Sequence, residues 1–303
     1  MLELTKYFSP YDVWSPLFFV SSVLVIILYL GITGPYIRVF SQTDPVPVSK
    51  KLMFIGGVLL LYLAQGGPIN LMSHIMLTFH MLMMALTYII VPPLILLGIP
   101  SWLWSYLLDR KPLRWLKGLM HPILMAVLFN ALFSFYHVPA VHDYVMTHYE
   151  IHIVYDIVLF VAAMMMWWTI VVPFPKWVIL ADVKKMGYIF LNGVLITPAC
   201  ALIIFADEPL YSTYVDKETW IQAMGYCLTG DPSKLLAAFD GPEFFNWFSP
   251  VEDQQLGGIV MKLLQEVMYG CILYYIFIHW YRRESKEDDD IVGTLPEEGQ
   301  FHS

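Results

Sequence analysis

Apolar residues in this chain gather in blocks of about twenty, neither alternating nor confined to one helical face, and twenty helical residues span roughly 30 Å of hydrocarbon. Divided by turn residues and charges, the blocks predict seven transmembrane helices at 15–39, 52–66, 71–97, 119–137, 149–172, 187–206 and 257–281. Gly66, Gly67 and Pro68 predict a tight hairpin between the second and third spans, and Pro92 and Pro93 predict a kink or an end to the third. The expected fold is all-α: a polytopic bundle of seven transmembrane helices over residues 1–281. It includes an acidic segment, 207–256, long enough either to cover the bundle mouth or to serve as a solvated connector. A disordered tail, 282–303, follows. The opening MLELTKYFSPYDVW lacks the basic-then-apolar start of a signal peptide, so the first helix is expected to be retained.

Composition agrees with a bilayer as solvent. The chain of 303 residues is 58% hydrophobic and 14% charged, with a mean hydropathy of +0.62, far from the roughly one-quarter charged content of a soluble domain. A net charge of -8 and the lack of a basic patch argue against nucleic acid. Cys200, Cys227 and Cys271 form no paired motif. Sorting the seventeen Lys and Arg by loop puts Arg38, Lys50, Lys51, Arg110, Lys111, Arg114, Lys117, Lys176, Lys184, Lys185, Arg282, Arg283 and Lys286 on one face. Only Lys6, Lys217 and Lys234 fall on the other. By the positive-inside rule the amino terminus is outside and the carboxyl terminus cytoplasmic.

That orientation places six of the nine histidines in the outer half: His74, His80, His137, His142, His148 and His152. Imidazoles near hydrocarbon need partners. On the third span Met72, Met76, His80 and Met84 recur every fourth residue as one stripe, with His74 and Met81 beside it. Imidazole with thioether suits copper, although methionine stripes more often pack cores. His148, His152 and Asp156 are also four apart, so a chelating histidine pair is expected with an acid one turn below to orient it. His137, in YHVP, and Asp253, in EDQQLGG, should reach the same layer, Asp253 as an acceptor behind a ligand histidine. The expected metal set is therefore His74, His80, His137, His148 and His152 with Met81 and Met84, supported by Asp156 and Asp253. His142, assigned to a loop, and His121, at the inner boundary, are read as structural. Lys262 is a candidate counter-ion for Asp156, unless it pairs with Glu266 one turn away.

Walker, dinucleotide-binding, nucleophile-elbow, zincin and c-type haem signatures are all missing, so no enzyme activity is expected. The run SHIMLTFHMLMMALTYIIVPPLILLGIP ending at Pro100, then YHVP, HYEIH, Trp167-Trp168 and DQQLGG, resembles the CtaG family of cytochrome c oxidase assembly factors. It is most similar to the seven-span type of Bacillus-like Gram-positive bacteria, needed there for an active caa-type oxidase. The resemblance implies a bacterial plasma-membrane protein that partners cytochrome c oxidase subunits and the lipid bilayer, handles copper for the oxidase metal centres, and is free to form a homo-oligomer. Its motif positions fall on His74, His80, His137, His148, His152 and Asp253. The chain departs from the family at Phe79, where a Gln is usual, and at Met261. Two other classes remain open: a membrane oxidoreductase with histidine-ligated b-type haem, and a proton-coupled transporter using Asp156, Lys262 and Glu266.

Overall fold

A computed structural model describes residues 8–40, 44–108, 118, 120–171, 180–225, 228, 241–242 and 247–294, the side chains only as far as residue 285. Every regular element among them is helical. In chain order these are α1 (Pro10–Val13), α2 (Pro16–Thr33), α3 (Val48–Gln65), α4 (Pro68–Ser73), α5 (Leu77–Gly98) and α6 (Ser101–Leu108). They continue as α7 (Pro122–Tyr136), α8 (Pro139–Met146), α9 (Tyr149–Val171), α10 (Asp182–Ile204), α11 (Lys217–Met224) and α12 (Pro250–Thr294). Six are long and apolar enough to cross a membrane: α2, α3, α5, α9, α10 and α12. The bent pair α7 and α8 makes up to a seventh.

The fourth span is not the straight helix expected. α7 ends at Tyr136, and the chain turns by 79° into α8. Pro139 has no N–H to continue a helix, and it forces Val138 into an extended conformation, with ψ 124°. A proline suits the first turn of a new helix, so the break becomes a start. His142, assigned to a loop in the sequence, is thereby folded back on α8 against the bundle.

The third span is broken too. Met76 is extended, with φ -131° and ψ 130°, and separates short α4 from α5. The stripe Met72, Met76, His80, Met84 therefore does not exist as one helical face. Met72 and Met76 pack with Phe8, Val13, Trp220 and Met224, whereas Met81 and Met84 belong to the main core. Pro92 and Pro93 do not end the span. A wide, π-helical turn over Ala85–Ile90 precedes them, and α5 runs on to Gly98. The indole N–H of Trp167 donates to the carbonyl of Tyr88 within that turn, at 3.1 Å.

Glycines set the closest helix contacts. α3 and α5 run antiparallel, with Gly57 against Leu94 and Ile95 and Gly98 against the main chain of Phe54. Gly257 and Gly258 let α12 lie against α5 at Leu77 and against α10 at Ile203 and Ile204. Asn130 donates to Asn192 at 2.8 Å and ties α7 to α10 in the apolar interior. α12 begins seven residues before the predicted span and continues to Thr294, through much of the stretch expected to be disordered. Residues 295–303 lie outside the described residues.

Candidate functional site

The first requirement of the site is the break before α5, because a helix start inside a bundle exposes main-chain N–H groups that need acceptors. Asp253, on the first turn of α12, supplies them. Its carboxylate accepts from Leu77 N at 2.6 Å and Thr78 N at 3.3 Å, while its carbonyl accepts from the Thr78 hydroxyl at 2.9 Å. Asp253 thus caps a helix, where the sequence suggested an acceptor for a ligand histidine. The cap sets His80, one turn into α5.

Around His80 the helices converge. His142 on α8 lies 5.1 Å from it between ring centroids and His137 lies 6.1 Å away, both rings steeply tilted to it. Tyr136 stacks on His80 at 5.6 Å, nearly parallel. All three imidazoles are fully buried. The Nδ1–H of His137 donates to the Phe133 carbonyl at 2.7 Å, which leaves the Nε2 lone pair unprotonated in the neutral ring. That Nε2 has no hydrogen-bond partner, and neither do Nδ1 and Nε2 of His80 or of His142. His142 Nδ1 lies 3.6 Å from Asp143, whose carboxylate accepts from Ser212 N, Thr213 N and the Thr213 hydroxyl.

Those bonds anchor the first part of the acidic segment over the cluster. Tyr211 donates to the His137 carbonyl at 2.9 Å and Tyr214 donates to that of Ser73, also at 2.9 Å. Both rings pack on His142, at 4.5 and 5.6 Å. Gln222 of α11 reaches the Thr147 carbonyl, and Leu210 N donates to Gln254. Residues 207–225 therefore form a cover; most of 226–246 lies outside the described residues.

A second pair adjoins the cluster. His74, capping α4, lies 5.8 Å from His152 on α9. Its Nδ1–H donates to the Asn70 carbonyl at 2.9 Å, again leaving Nε2 as the available lone pair. Burial, with the neighbouring His152 adding to it, pushes the pKa of His74 down to about 4. Its folded pKa lies below the unfolded value of 6.5, so its contribution to stability is complete above pH 6.5 and is lost as the pH falls towards 4. Acidification over that window is expected to cost about 3 kcal/mol through His74 alone, read as a lower unfolding temperature at pH 5 than at pH 7.5, a difference that His74→Leu reduces while the other buried histidines keep the remainder.

The expected chelating pair His148 and His152 is not brought together. His148 precedes α9, is exposed, stacks on Tyr144 and bonds its carbonyl at 2.7 Å. His152 turns inward and lies 3.5 Å from Asp156. Asp156 accepts from the Tyr88 hydroxyl at 3.1 Å, while Lys262 binds Glu266, Gln265 and Thr197, so the proposed Asp156–Lys262 pairing is absent. Met81 packs against the position of Gly257 and Met84 lies in the main core. His142 and Asp143 are the residues of this cluster that sequence reasoning missed; for His142 the Val138-Pro139 step was the available signal.

Among the described residues no three His, Cys, Asp or Glu side chains converge tightly enough to form a preassembled metal site. No curated protein and no solved structure gives a significant match to the chain. The family model described as cytochrome c oxidase caa3 assembly factor matches residues 27–283, a stretch that runs from the end of α2 through the later membrane-spanning helices and takes in all five clustered histidines, and the chain belongs to that family.

Proposed function

We propose that the chain assists oxidase maturation by holding copper as cargo, in the cuprous state, among His80, His137 and His142, and passing it to an oxidase subunit. The observation that carries this reading is the group of buried imidazole nitrogens without a hydrogen-bond partner on these three residues. Each such group costs about 1–3 kcal/mol when left unsatisfied, and a soft cation bound by neutral imidazoles offsets that cost. Rings sharing one metal at about 2.0 Å from each nitrogen have centroids about 5–6 Å apart; the His80–His142 separation of 5.1 Å lies in that range and the His80–His137 separation of 6.1 Å just beyond it. Small ring rotations complete the site, which suits a carrier that must also release its ion.

The distribution of Lys and Arg argues for an extracytoplasmic cluster, with the amino terminus on the same side. Met81 and Met84 are engaged in packing, and His148 is turned away, so the ligand set is narrower than the sequence suggested. Copper content after anaerobic cuprous loading tests the assignment. Stoichiometric metal is expected in the wild type, with affinity lowered at least about tenfold in His80→Leu and in His142→Leu. Unchanged binding in both variants overturns the site, and a Soret band in the purified protein replaces copper with haem.

A further inference from the structure

A second recess opens beside the cluster, and the copper reading does not use it. It is a cleft of about 670 Å³ between the start of α2, the end of α3, the middle of α5 and one face of α9, a volume within the range of ligand pockets. On α9 it runs from Tyr149 to Val161, about 18 Å at 1.5 Å per residue. The two ends differ in chemistry. Near Asn70 and His74 the walls carry hydroxyl, amide, imidazole and carboxyl groups; farther along they become Leu61, Ile157, Phe160 and Val161. Ile157 and Val161 are 58% and 50% exposed, so the apolar end faces the lipid side of the bundle.

We propose that this cleft binds a neutral amphiphile, with a hydroxyl or carbonyl head between His152 and Asp156 and an apolar tail along Ile153, Ile157 and Val161. The polar end has unspent capacity. His152 Nε2 is buried with no hydrogen-bond partner, and the Asp156 oxygen nearest to it stands 3.5 Å away, beyond a good hydrogen bond. A head hydroxyl fits between them, donating to the carboxylate and accepting from the ring; a carbonyl accepts from the ring alone. Net charge selects the class. Asp12 and Asp156 line the cleft and, among the described residues, no Lys or Arg does, so a phosphate or carboxylate head finds no counter-charge there. A partner transmembrane helix is a poorer fit, because its apolar surface would leave the His152–Asp156 end unsatisfied.

Both an isoprenoid-type quinol and a diacylglycerol-type lipid carry this chemistry, and titration distinguishes them. The full-length protein in phosphatidylcholine nanodiscs is titrated with a decyl benzoquinol, with dioleoylglycerol and with dioleoylphosphatidylglycerol. At least one neutral probe is expected to bind saturably, and the one that does identifies the source; the anionic lipid is expected neither to bind nor to compete. Ile157→Trp and Val161→Trp fill the tail channel from exposed positions, and each should weaken binding at least about tenfold. Asp156→Asn should weaken a hydroxyl-headed probe more than a carbonyl-headed one. Leu263→Trp, on an exposed face of α12, should change nothing. The proposal is overturned if neither neutral probe saturates, if both tryptophan variants bind as the wild type does, or if the anionic lipid binds equally well. Loss of a co-purifying oxidase subunit in Ile157→Trp, without probe binding to the wild type, assigns the cleft to a protein helix instead. Copper content reports on the His80 cluster separately, so either reading can fail alone.

Discussion

Asp253→Ala is expected to destabilise the protein by about 4 kcal/mol, because two main-chain N–H groups at a buried helix start lose their acceptor at about 1–3 kcal/mol each. Leu77 N and Thr78 N both point at this one carboxylate, from a residue 176 positions away in sequence. Asp253 is 1% exposed and Leu77 also 1%, so water does not substitute easily. The check is thermal unfolding in detergent followed by tryptophan fluorescence, with Asp253→Asn alongside. The amide retains one acceptor oxygen and should recover about half of the loss. Equal unfolding temperatures for wild type and Asp253→Ala would show that α5 does not depend on this cap. Copper affinity should fall in Asp253→Ala as well, because the cap fixes where His80 stands.

Gly98→Ala is the second large effect, again about 4 kcal/mol. An added Cβ would lie 2.6 Å from Phe54 N and 2.8 Å from Phe54 Cα, both main-chain atoms that no side-chain rotation can move away. Overpacking of this kind costs about 1–3 kcal/mol and more where backbone must shift. Separating α3 from α5 here also pulls the Gly98 carbonyl from the Tyr29 hydroxyl, now at 2.8 Å, which adds about 1 kcal/mol. Gly56 meets nothing within 4 Å, so Gly56→Ala is the matched control on the same helix pair and should be neutral or slightly stabilising. A similar unfolding temperature for both alanine variants would contradict the close contact.

How much of this architecture is legible in the sequence follows from the range of the forces involved. Apolar blocks reveal spans because partition into hydrocarbon is a local property of some twenty residues. The break at Met76 is invisible to that reading: LMSHIML is apolar on both sides, and the acceptor that permits a new helix start comes from α12. The methionine stripe failed for the same reason, since a helical periodicity has meaning only if the helix is continuous. His80, His74 and His152 stand out in the sequence because imidazoles are rare in such surroundings. His142 was passed over although Pro139, three residues before it, carries the signal of a helix beginning. Asp143 had no signal of its own, because its partners Ser212 and Thr213 lie some 70 residues on.

The tyrosines that fasten residues 207–225 over the histidines make a distinction between chemistry and closure. Tyr211 and Tyr214 grip the carbonyl oxygens of His137 and Ser73, and a peptide carbonyl survives any replacement of the side chain it belongs to. Side chains at positions 73, 80 and 137 are therefore free to vary without loosening these two fastenings. Mutational drift can retune what the chamber accepts while the chamber remains shut, and the same independence lets a bench variant at His137 report on ligation with both tyrosine bonds in place.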